Sequence, residues 1–552
     1  MKLLISITMI NNSRTLALLL TFLILAAIKL PAQVPIVKLS NEFNVPGDGF
    51  DKLLQLRNGN TCYLHFGQKS GLEVAMYNRQ RELLNHDTLN PQRWNSTDLD
   101  NTEIDAIYQI NGQPVVFLQQ IVKDTPNLYR LVLDPNNGHI LKEDKLGELP
   151  SIRLRTMYSN NNVASHDCYV EKDTRSDYYA VAFFNGTEIQ YGDDPKKRIT
   201  IQHYSPDHKL INTGYYYMQD SAYNYFSYIN MAVQDKSHIY LATVGFNGKR
   251  KSGESSSKVV FSVLSPDSVT FSNHVIAYTG NYSQVSGLVK VVPAYKEVRL
   301  LIHVPDEKRS GNSGTILNIF TEDGKLRKHP ILTNPELSKN VAINLNYKDD
   351  YSGIPQNWII NDDGSSTIMW ETLSFFKQGN NQISNLHTNM GDAGVAELDT
   401  TGREDVTWSL NKYQVVTGVA QPFFQHRRSK SEWVFRNKIA ALNLSPYVSY
   451  DFINKPDVTF MLFNDYLQYL DSGGADKTKK PLKFADDASF VCYRYLDKRI
   501  ERLYIFGMPE VSKRYSCILG ASDYNEGSHT YATILLTRKG TVKTAALAWI
   551  EF

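Results

Sequence analysis

Short runs of alternating apolar and polar residues follow one another along most of the chain, and most of them end at a turn rich in Asp, Asn, Pro or Gly. Gly and Asn readily adopt positive φ and Pro presets φ for a turn, so these junctions predict β-hairpins. Eight such turns span the chain, at residues 77–80, 134–138, 205–208, 265–268, 322–325, 399–402, 497–499 and 538–540.

A second hairpin precedes most of these turns. Its own turns lie at residues 58–59, 111–112, 235–236, 362–364 and 455–457. Two hairpins per unit make four antiparallel strands, and no sustained helical period interrupts the pattern. The repeat therefore predicts an all-β fold, a β-propeller of four-stranded antiparallel blades.

The last unit lacks one strand, while a spare apolar strand, residues 34–39, stands before the first unit. We expect this N-terminal strand to complete the last blade, because closing the ring removes the exposed sheet edges of a linear array. The prediction is eight blades, with seven as the alternative if the final segment joins the blade before it. Residues 33–552 then form a single propeller domain, which we expect to be a monomer.

The N-terminus resembles a secretory signal. Residues 15–28 are an apolar run that follows Arg14 and precedes Pro31-Ala32-Gln33, which fits cleavage after Ala32. The run is broken at Lys29 and is shorter than the ~20 residues of a membrane-spanning helix. Residues 1–32 are therefore predicted to be a signal peptide, and the mature protein to be secreted, periplasmic or associated with the cell surface, without stable membrane insertion.

Composition excludes several classes of protein. The 552 residues include 59 Lys and Arg against 57 Asp and Glu, so the net charge of +2 does not indicate a nucleic-acid-binding protein. Four cysteines, none in a C-x-x-C pair, cannot form a disulfide scaffold or a zinc knuckle. No metal or cofactor is predicted, and both one disulfide and buried free thiols remain open.

Three features resemble uncharacterised exported β-propeller proteins of the type found in Bacteroidota bacteria. They are the signal ending in Pro31-Ala32-Gln33, the strand at residues 460–465 and the end of the chain within a strand at residues 548–552. The resemblance implies the fold and an exported location, and it carries no activity and no catalytic residues to this sequence.

Few residues suggest catalytic chemistry. His166 and Asp167 could face the central channel as a base or metal site, but neighbours on a strand point to opposite faces, so a histidine with satisfied hydrogen bonds is favoured. Residues 361–370 are similar to the Asp-box of sialidase-type propellers, which is a structural turn. No catalytic residue is predicted from these patterns.

Two features indicate ligand binding. Tyr223, Tyr225 and Phe226 belong to a dense aromatic stretch between the third and fourth units, which suits protein partners and sugar rings or, alternatively, packing between blades. Basic loops between the middle strands of successive blades predict a cationic rim on one face, with mobile, solubilising lysines as the alternative. The rim residues proposed for binding are Lys196, Lys197, Arg198, Lys249, Arg250 and Lys251.

The sequence thus favours a non-enzymatic binding or scaffold protein that presents a loop-rich face to a protein or an anionic glycan. The alternative is a polysaccharide hydrolase or lyase with its site at the mouth of the channel, and a third class is a structural component of an envelope assembly. Two or three carboxylates or histidines that converge on a pocket of ~300 Å³ or more at that mouth would favour the enzyme.

Overall fold

The protein is described here from a computed structural model. It describes residues 35–47, 49–67, 70–97, 99–151, 158–159, 162–187, 194–218, 222–247, 257–276, 285–304, 314–332, 334–377, 386–428, 432–433, 439–440, 447–455, 458–466, 488–510 and 512–552. The predicted signal peptide lies outside these residues. No helix among those described is long and apolar enough to cross a membrane.

Eight antiparallel sheets are arranged as an eight-bladed β-propeller, which confirms the predicted fold and blade number. The first strand, β1 (Ile36–Leu39), belongs to the last blade, and the next four blades are contiguous in sequence. Blade 1 contains β2 (Gly49–Gln55), β3 (Thr61–Gly67), β4 (Gly71–Tyr77) and β5 (Leu83–Leu89), and blade 2 contains β6 (Thr102–Ile110), β7 (Gln113–Val122), β8 (Thr125–Leu133) and β9 (Ile140–Glu148). Blade 3 contains β12 (His166–Lys172), β13 (Tyr179–Asn185), β14 (Ile199–Tyr204) and β15 (Leu210–Tyr215). Blade 4 contains β16 (Tyr225–Gln234), β17 (His238–Phe246), β18 (Lys258–Leu264) and β19 (Ser272–Ile276). A small hairpin of β10 (Tyr158–Ser159) and β11 (Asn162–Val163) precedes blade 3.

The remaining blades follow the same order from the channel outward. Blade 5 contains β20 (Ser286–Val292), β21 (Glu297–Val304), β22 (Gly314–Thr321) and β23 (Leu326–Leu332). Blade 6 contains β24 (Gly353–Ile360), β25 (Ser366–Lys377), β26 (Leu386–Leu398) and β27 (Glu404–Leu410), with β28 (Gln414–Thr417) beside β26. Blade 7 contains β31 (Tyr450–Lys455), β32 (Val458–Tyr466), β33 (Ala488–Leu496) and β34 (Arg499–Leu503). Blade 8 contains β35 (Lys513–Cys517), β36 (Asp523–Asn525), β37 (Thr530–Lys539), β38 (Val542–Glu551) and β1. A second small hairpin is formed by β29 (Glu432–Trp433) and β30 (Ile439–Ala440).

Helices are few among the described residues. They are α1 (Pro335–Asn344), between blades 5 and 6, and the short α2 (Phe424–Arg427), between blades 6 and 7. Single 3₁₀ turns lie at Leu99–Asn101, Pro293–Tyr295 and Leu519–Ala521. Because every inner strand begins at the same face of the ring, we call that face the upper face. It also carries the connections between blades and the loops between second and third strands.

The N-terminal strand closes the ring as predicted. Ile36 pairs with Glu551 and Leu39 with Ala548, so β1 is the outermost strand of blade 8. Pairing continues past the strand, where the Phe43 amide donates to the Ala545 carbonyl at 2.8 Å. The turn at residues 538–540 joins the second and third strands of this blade, unlike the other seven, which join third and fourth strands. That difference explains the short spacing of the last unit.

The cores lie between adjacent blades, where the alternating apolar residues of neighbouring sheets meet. The turn at residues 361–365 is structural, since the Asp363 carboxylate accepts bonds from the amide and hydroxyl of Ser365 at 2.9 and 2.6 Å. All four cysteines are buried free thiols, which decides between the two alternatives that the sequence left open. Burial raises the pKa of the Cys62 thiol to about 12.

Candidate functional site

A pocket of about 460 Å³ lies at the upper mouth of the central channel. Its walls come from the inner strands of blades 2, 3, 4 and 5, and the segment that contains α2 supplies one further side. The polar lining side chains on which its chemistry depends are Glu103, Asp105, Gln119, His166, Asp167, Glu171, His426 and Arg427.

Three of the carboxylates reach the pocket because β6 and β12 both start at the upper face, whereas Glu171 lies near the other end of β12 and lines the pocket from farther down the channel. Glu103 and Asp105 lie near the start of β6, and Asp167 and Glu171 belong to β12. The register of β6 shifts between Ile104 and Ala106, so Asp105 is an extra residue in the strand. A bulge of this kind changes the direction of a side chain. Glu103 and Asp105, two positions apart on β6, both line the pocket.

Similar bulges occur in other inner strands. The register of β16 shifts between Tyr228 and Asn230, and that of β24 shifts between Pro355 and Asn357. In all three inner strands the irregularity falls near the middle of the strand or above it. The inner edge of the ring is therefore locally bent around the channel.

Asp167 is held in one orientation. Its Oδ1 atom accepts a hydrogen bond from Gln119 Nε2 at 3.1 Å and another from the Cys168 amide at 2.8 Å. Hydrogen bonds donated to a carboxylate favour its charged form. Asp167 is half-buried, so this oriented carboxylate still faces the pocket.

His166 lines the same pocket but has two partners of its own. Its Nδ1 atom lies 3.1 Å from Asn185 Oδ1 and its Nε2 atom 2.9 Å from the Pro150 carbonyl oxygen. This confirms the prediction of a histidine with satisfied hydrogen bonds. His166 therefore shapes the wall of the pocket beside Asp167.

Helix α2 brings basic residues over the pocket. Phe423 precedes it in the left-handed conformation, with φ of 59°, and is buried against Leu288 and Trp358. The Phe423 amide also donates to the Pro355 carbonyl at 2.7 Å. This anchor on blades 5 and 6 places half-buried His426 and exposed Arg427 at the mouth.

The next residue fixes the helix to blade 7. Arg428 Nη1 donates to the Tyr450 carbonyl at 3.2 Å, and its guanidinium forms an ion pair with Asp451. Tyr531 donates to the other oxygen of Asp451 at 2.5 Å. Burial lowers the pKa of Arg428 to about 10. The segment at the mouth is thus tied to three successive blades.

Tyrosines line the pocket below the carboxylates. The rings of Tyr169 and Tyr228 stack at 3.6 Å between centroids with an interplanar angle of 7°. Burial, reinforced by the nearby charge of Glu171, raises the pKa of Tyr228. Burial also lowers the pKa of Lys290, which lies farther along the channel, although Glu171 partly opposes this.

The predicted aromatic residues lie beside this pocket, not in it. Phe226 is buried, with its ring at right angles to those of Tyr216 and Tyr223. Tyr225 stacks on Phe246 with ring centroids 5.4 Å apart. Phe226 thus packs between blades 3 and 4, which is the alternative that the sequence left open, whereas the Tyr225–Phe246 pair lies within blade 4. A ligand-binding role for these aromatic residues stays a prediction.

The predicted basic residues Lys196, Lys197 and Arg198 lie at the upper face, between the second and third strands of blade 3. Lys196 and Lys197 are exposed, and the ammonium of Lys197 is 3.9 Å from an Asp194 oxygen. Arg198 instead donates to the Thr187 and Asn224 carbonyls at 2.6 and 2.8 Å, and burial lowers its pKa to about 10. Arg198 thus supports the loop structurally, while Lys249, Arg250 and Lys251 lie outside the described residues.

Sequence reasoning identified one part of this pocket, the pair His166 and Asp167. It missed Glu103, Asp105, Glu171, His426 and Arg427, which are far apart in sequence and belong to no motif. The signal available was only that an acidic residue occurs near the start of two successive inner strands. Among the described residues no group of three or more His, Cys, Asp or Glu could hold a metal ion.

No family model and no curated protein sequence matches the chain. Among solved structures, prolyl oligopeptidase B from Galerina marginata is 7% identical over 92% of this chain and 56% of its own, with a TM-score of 0.39. The chain thus spans just over half the length of that protein.

Two other similar structures act on polysaccharides. An ulvan lyase bound to a glucuronic acid–sulfated rhamnose unit is 10% identical, over 85% of this chain and all of its own, with a TM-score of 0.37. An endo-arabinanase from Bacillus licheniformis is 12% identical, over 52% of this chain and all of its own, with a TM-score of 0.25. Because the sequence identities and TM-scores are this low, none of the three structures bears on the activity of this chain.

Proposed function

We propose that the protein is an exported glycoside hydrolase that cleaves a polysaccharide at the upper mouth of the channel. The observation that carries this proposal is the convergence of four carboxylates, Glu103, Asp105, Asp167 and Glu171, on one pocket of about 460 Å³. Its volume exceeds the ~300 Å³ that would favour the enzyme alternative, and four carboxylates are more than the two or three expected for it.

Glycoside hydrolysis needs one carboxyl group that protonates the leaving oxygen and a second that acts as base or nucleophile. We assign the second role to Asp167, because hydrogen bonds from Gln119 and the Cys168 amide hold its carboxylate in place. We assign the acid role to Glu103, which is half-buried on the adjoining inner strand. Asp105 is almost fully buried and is less accessible to a substrate.

The charge of the pocket favours a hydrolase over a lyase. A polysaccharide lyase acts beside a uronate carboxylate, and four protein carboxylates around one arginine would repel such a sugar. We therefore expect the bound stretch of chain to be uncharged.

Binding without cleavage is the second candidate. It is favoured by exposed Lys196 and Lys197 on the upper face, which could attract an anionic protein or glycan from outside the pocket. In this case the ligand would contact the rim and not the carboxylates. The two candidates therefore depend on different residues.

The experiment that tests the proposal measures reducing ends released from a panel of neutral polysaccharides. Asp167→Asn and Glu103→Gln each remove an ionisable group while keeping the shape of the side chain, and we expect each to lower the rate by at least ~100-fold. Asp194→Asn is the matched control, since Asp194 is exposed on a loop of the same face outside the pocket.

Three outcomes would count against the hydrolase. Cleavage that survives Asp167→Asn and Glu103→Gln with both proteins folded would remove the assigned roles. Retention on anionic glycans without cleavage of any polysaccharide, lost when Lys196 and Lys197 are changed to Ala, would favour the binding candidate. Products with a new double bond would indicate a lyase instead.

A further inference from the structure

A second and larger cavity lies away from the channel, between blade 1 and the segment that follows β1. Its volume is about 1210 Å³, and residues 38–47 form one wall. His65 and Glu73 of blade 1 form its floor, and Asp51 is paired with His65 in the same row across β2, β3 and β4. We call this cavity the junction groove.

Glycines above these residues let polar groups approach the backbone closely. The next row toward the upper face pairs Gly49 with Gly67 and Gly67 with Gly71. A methyl group at Gly67 would lie 2.8 Å from His65 Nε2 and 2.2 Å from Ser70 Oγ. The imidazole edge and the Ser70 hydroxyl thus border the same small space, which a larger side chain would fill.

The other edge of the imidazole is fixed. His65 Nδ1 lies 2.8 Å from Asp51 Oδ1, and Tyr63 donates its hydroxyl proton to the same oxygen at 2.8 Å. A charged Asp51 carboxylate can accept hydrogen bonds but cannot donate one. His65 Nδ1 therefore carries the proton, and Nε2 of the neutral ring is an acceptor. No partner of Nε2 occurs among the described residues, and this atom faces the space shared with Ser70.

We propose that Ser70, His65 and Asp51 form a nucleophile, general base and orienting carboxylate that hydrolyse a carboxylic ester bound in the junction groove. The arrangement supplies a nucleophile, a base and an orienting carboxylate, with the Ser70 hydroxyl and His65 Nε2 both bordering the Cβ position of Gly67. The side chains of Asp51 and His65 are each 9% exposed, whereas Ser70 is exposed, as a nucleophile that meets its substrate must be.

The proposed chemistry has two steps. Ser70 Oγ bonds to the ester carbonyl carbon while His65 Nε2 takes the hydroxyl proton, and that proton passes to the alkoxide that leaves when the carbon–oxygen bond breaks. Water then attacks the acyl-serine, His65 takes one of its protons, and a carboxylic acid leaves as Ser70 regains its hydrogen. An ester suits this site because an alkoxide leaves more readily than the amine of an amide.

This site shares no residue with the channel-mouth pocket. Loss of one activity therefore leaves the other intact, and each proposal can fail alone. No sequence pattern points to this site, because Ser70 is not in a G-x-S-x-G turn and its partners lie on two different strands.

The test is labelling of the purified chain with a fluorophosphonate probe, followed by mapping of the labelled peptide and by hydrolysis of p-nitrophenyl acetate. We expect labelling at Ser70, its complete loss in Ser70→Ala and a fall of at least ~100-fold in Asp51→Asn, which keeps the shape but reverses the tautomer of His65. Ser528→Ala is the matched control, since Ser528 is exposed on a turn of blade 8.

The pH dependence gives a second readout. Burial lowers the pKa of His65, but the hydrogen bond and charge of Asp51, helped by Glu73, outweigh it and leave the pKa above 6.5. Glu42, Lys38 and His86 also line the groove. Because neutral His65 is the base, labelling should rise with pH, with its midpoint above 6.5.

The proposal is overturned if the folded wild-type chain is not labelled at Ser70, whatever the variants do. It is also overturned if Asp51→Asn labels at the wild-type rate, because Ser70 would then react without the relay. Should Asp51→Asn fail to fold, Tyr63→Phe provides the milder test, with an expected loss of a few-fold because Asp51 loses one donor.

Discussion

Blade 8 and the seven other blades are held together in different ways. Blades 1 to 7 are each built from one continuous stretch of chain, whereas blade 8 takes its outermost strand from the N-terminus and the rest from the C-terminus. Closure of the ring therefore depends on β1 pairing with β38.

The junctions between blades differ in the same way. Between contiguous blades, space beside glycine is filled by a side chain of the next blade, since a methyl at Gly147 would lie 2.5 Å from the Phe183 ring and one at Gly214 would lie 2.5 Å from Leu264. Beside Gly49 and Gly67 of blade 1, no side chain of blade 8 or blade 2 comes as close among the described residues, and the junction groove lies there. The seam where the ring closes is thus also where a site can form.

The largest effect should come from removing the closing strand. A chain that begins at residue 45 loses the pairing of β1 and of Phe43, together with part of the apolar contact with Trp549. We expect the free energy of unfolding to fall by ~5 kcal/mol or more, at about 1 kcal/mol per backbone hydrogen bond plus the buried area. Thermal and urea unfolding measure it.

A circular permutant is the control for that truncation. Joining Phe552 to Ile36 through a tight turn, with the new N-terminus at Gly49, makes blade 8 contiguous, because Ile36 is already paired with Glu551. We expect its stability to stay within ~1 kcal/mol of the parent, since a short hairpin loop costs little entropy. A permutant as unstable as the truncated chain would show that closure does not depend on this pairing.

The next largest effect on the free energy of unfolding should come from replacing either of two buried tryptophans. Trp549 of blade 8 packs edge-on against Tyr77 of blade 1 and donates to Thr61 Oγ1 at 3.0 Å. Trp370 of contiguous blade 6 is equally buried, but its indole N–H has no partner among the described residues. We expect Trp370→Ala to cost ~3–5 kcal/mol and Trp549→Ala ~1 kcal/mol more, from the lost hydrogen bond.

Amide exchange sharpens the same comparison. Trp549→Ala should speed hydrogen exchange at Ser40 and Phe43, whose amides donate to β38 carbonyls, while Trp370→Ala should leave those amides unchanged. Equal exchange in both variants would mean that the seam opens only when the whole ring unfolds.

The smallest effect concerns Lys52, whose ammonium donates to the Ser522 carbonyl of blade 8 at 2.6 Å. Burial lowers its pKa to about 8, although Asp523 partly opposes this. The unfolded chain then holds more protons on Lys52 between pH 8 and 10.5, so this group makes stability rise with pH across that window. Lys52→Met should flatten the rise, and Lys236→Met, on an exposed turn, should not.

The sequence predicted the fold from local signals. Turns at residues 58–59 and 134–138 depend on Gly and Asn within a few positions, and strand alternation repeats every two residues, so both are readable without a partner. The candidate sites were much less readable. Asp105 enters the channel mouth through a bulge, and Phe423 adopts a left-handed conformation that no pattern near it required.

Local pattern by itself determined the four-stranded repeat, the eight blades and the need for an N-terminal strand to close the last one. Tertiary structure alone decided which side chains meet. Ring closure brings β6, β12 and the segment at Phe423 to one mouth, and it sets residues 38–47 opposite His65 and Ser70 of blade 1. The physical reason is range: strands and turns form from contacts within a few residues, whereas a pocket forms from side chains that only the closed ring brings together.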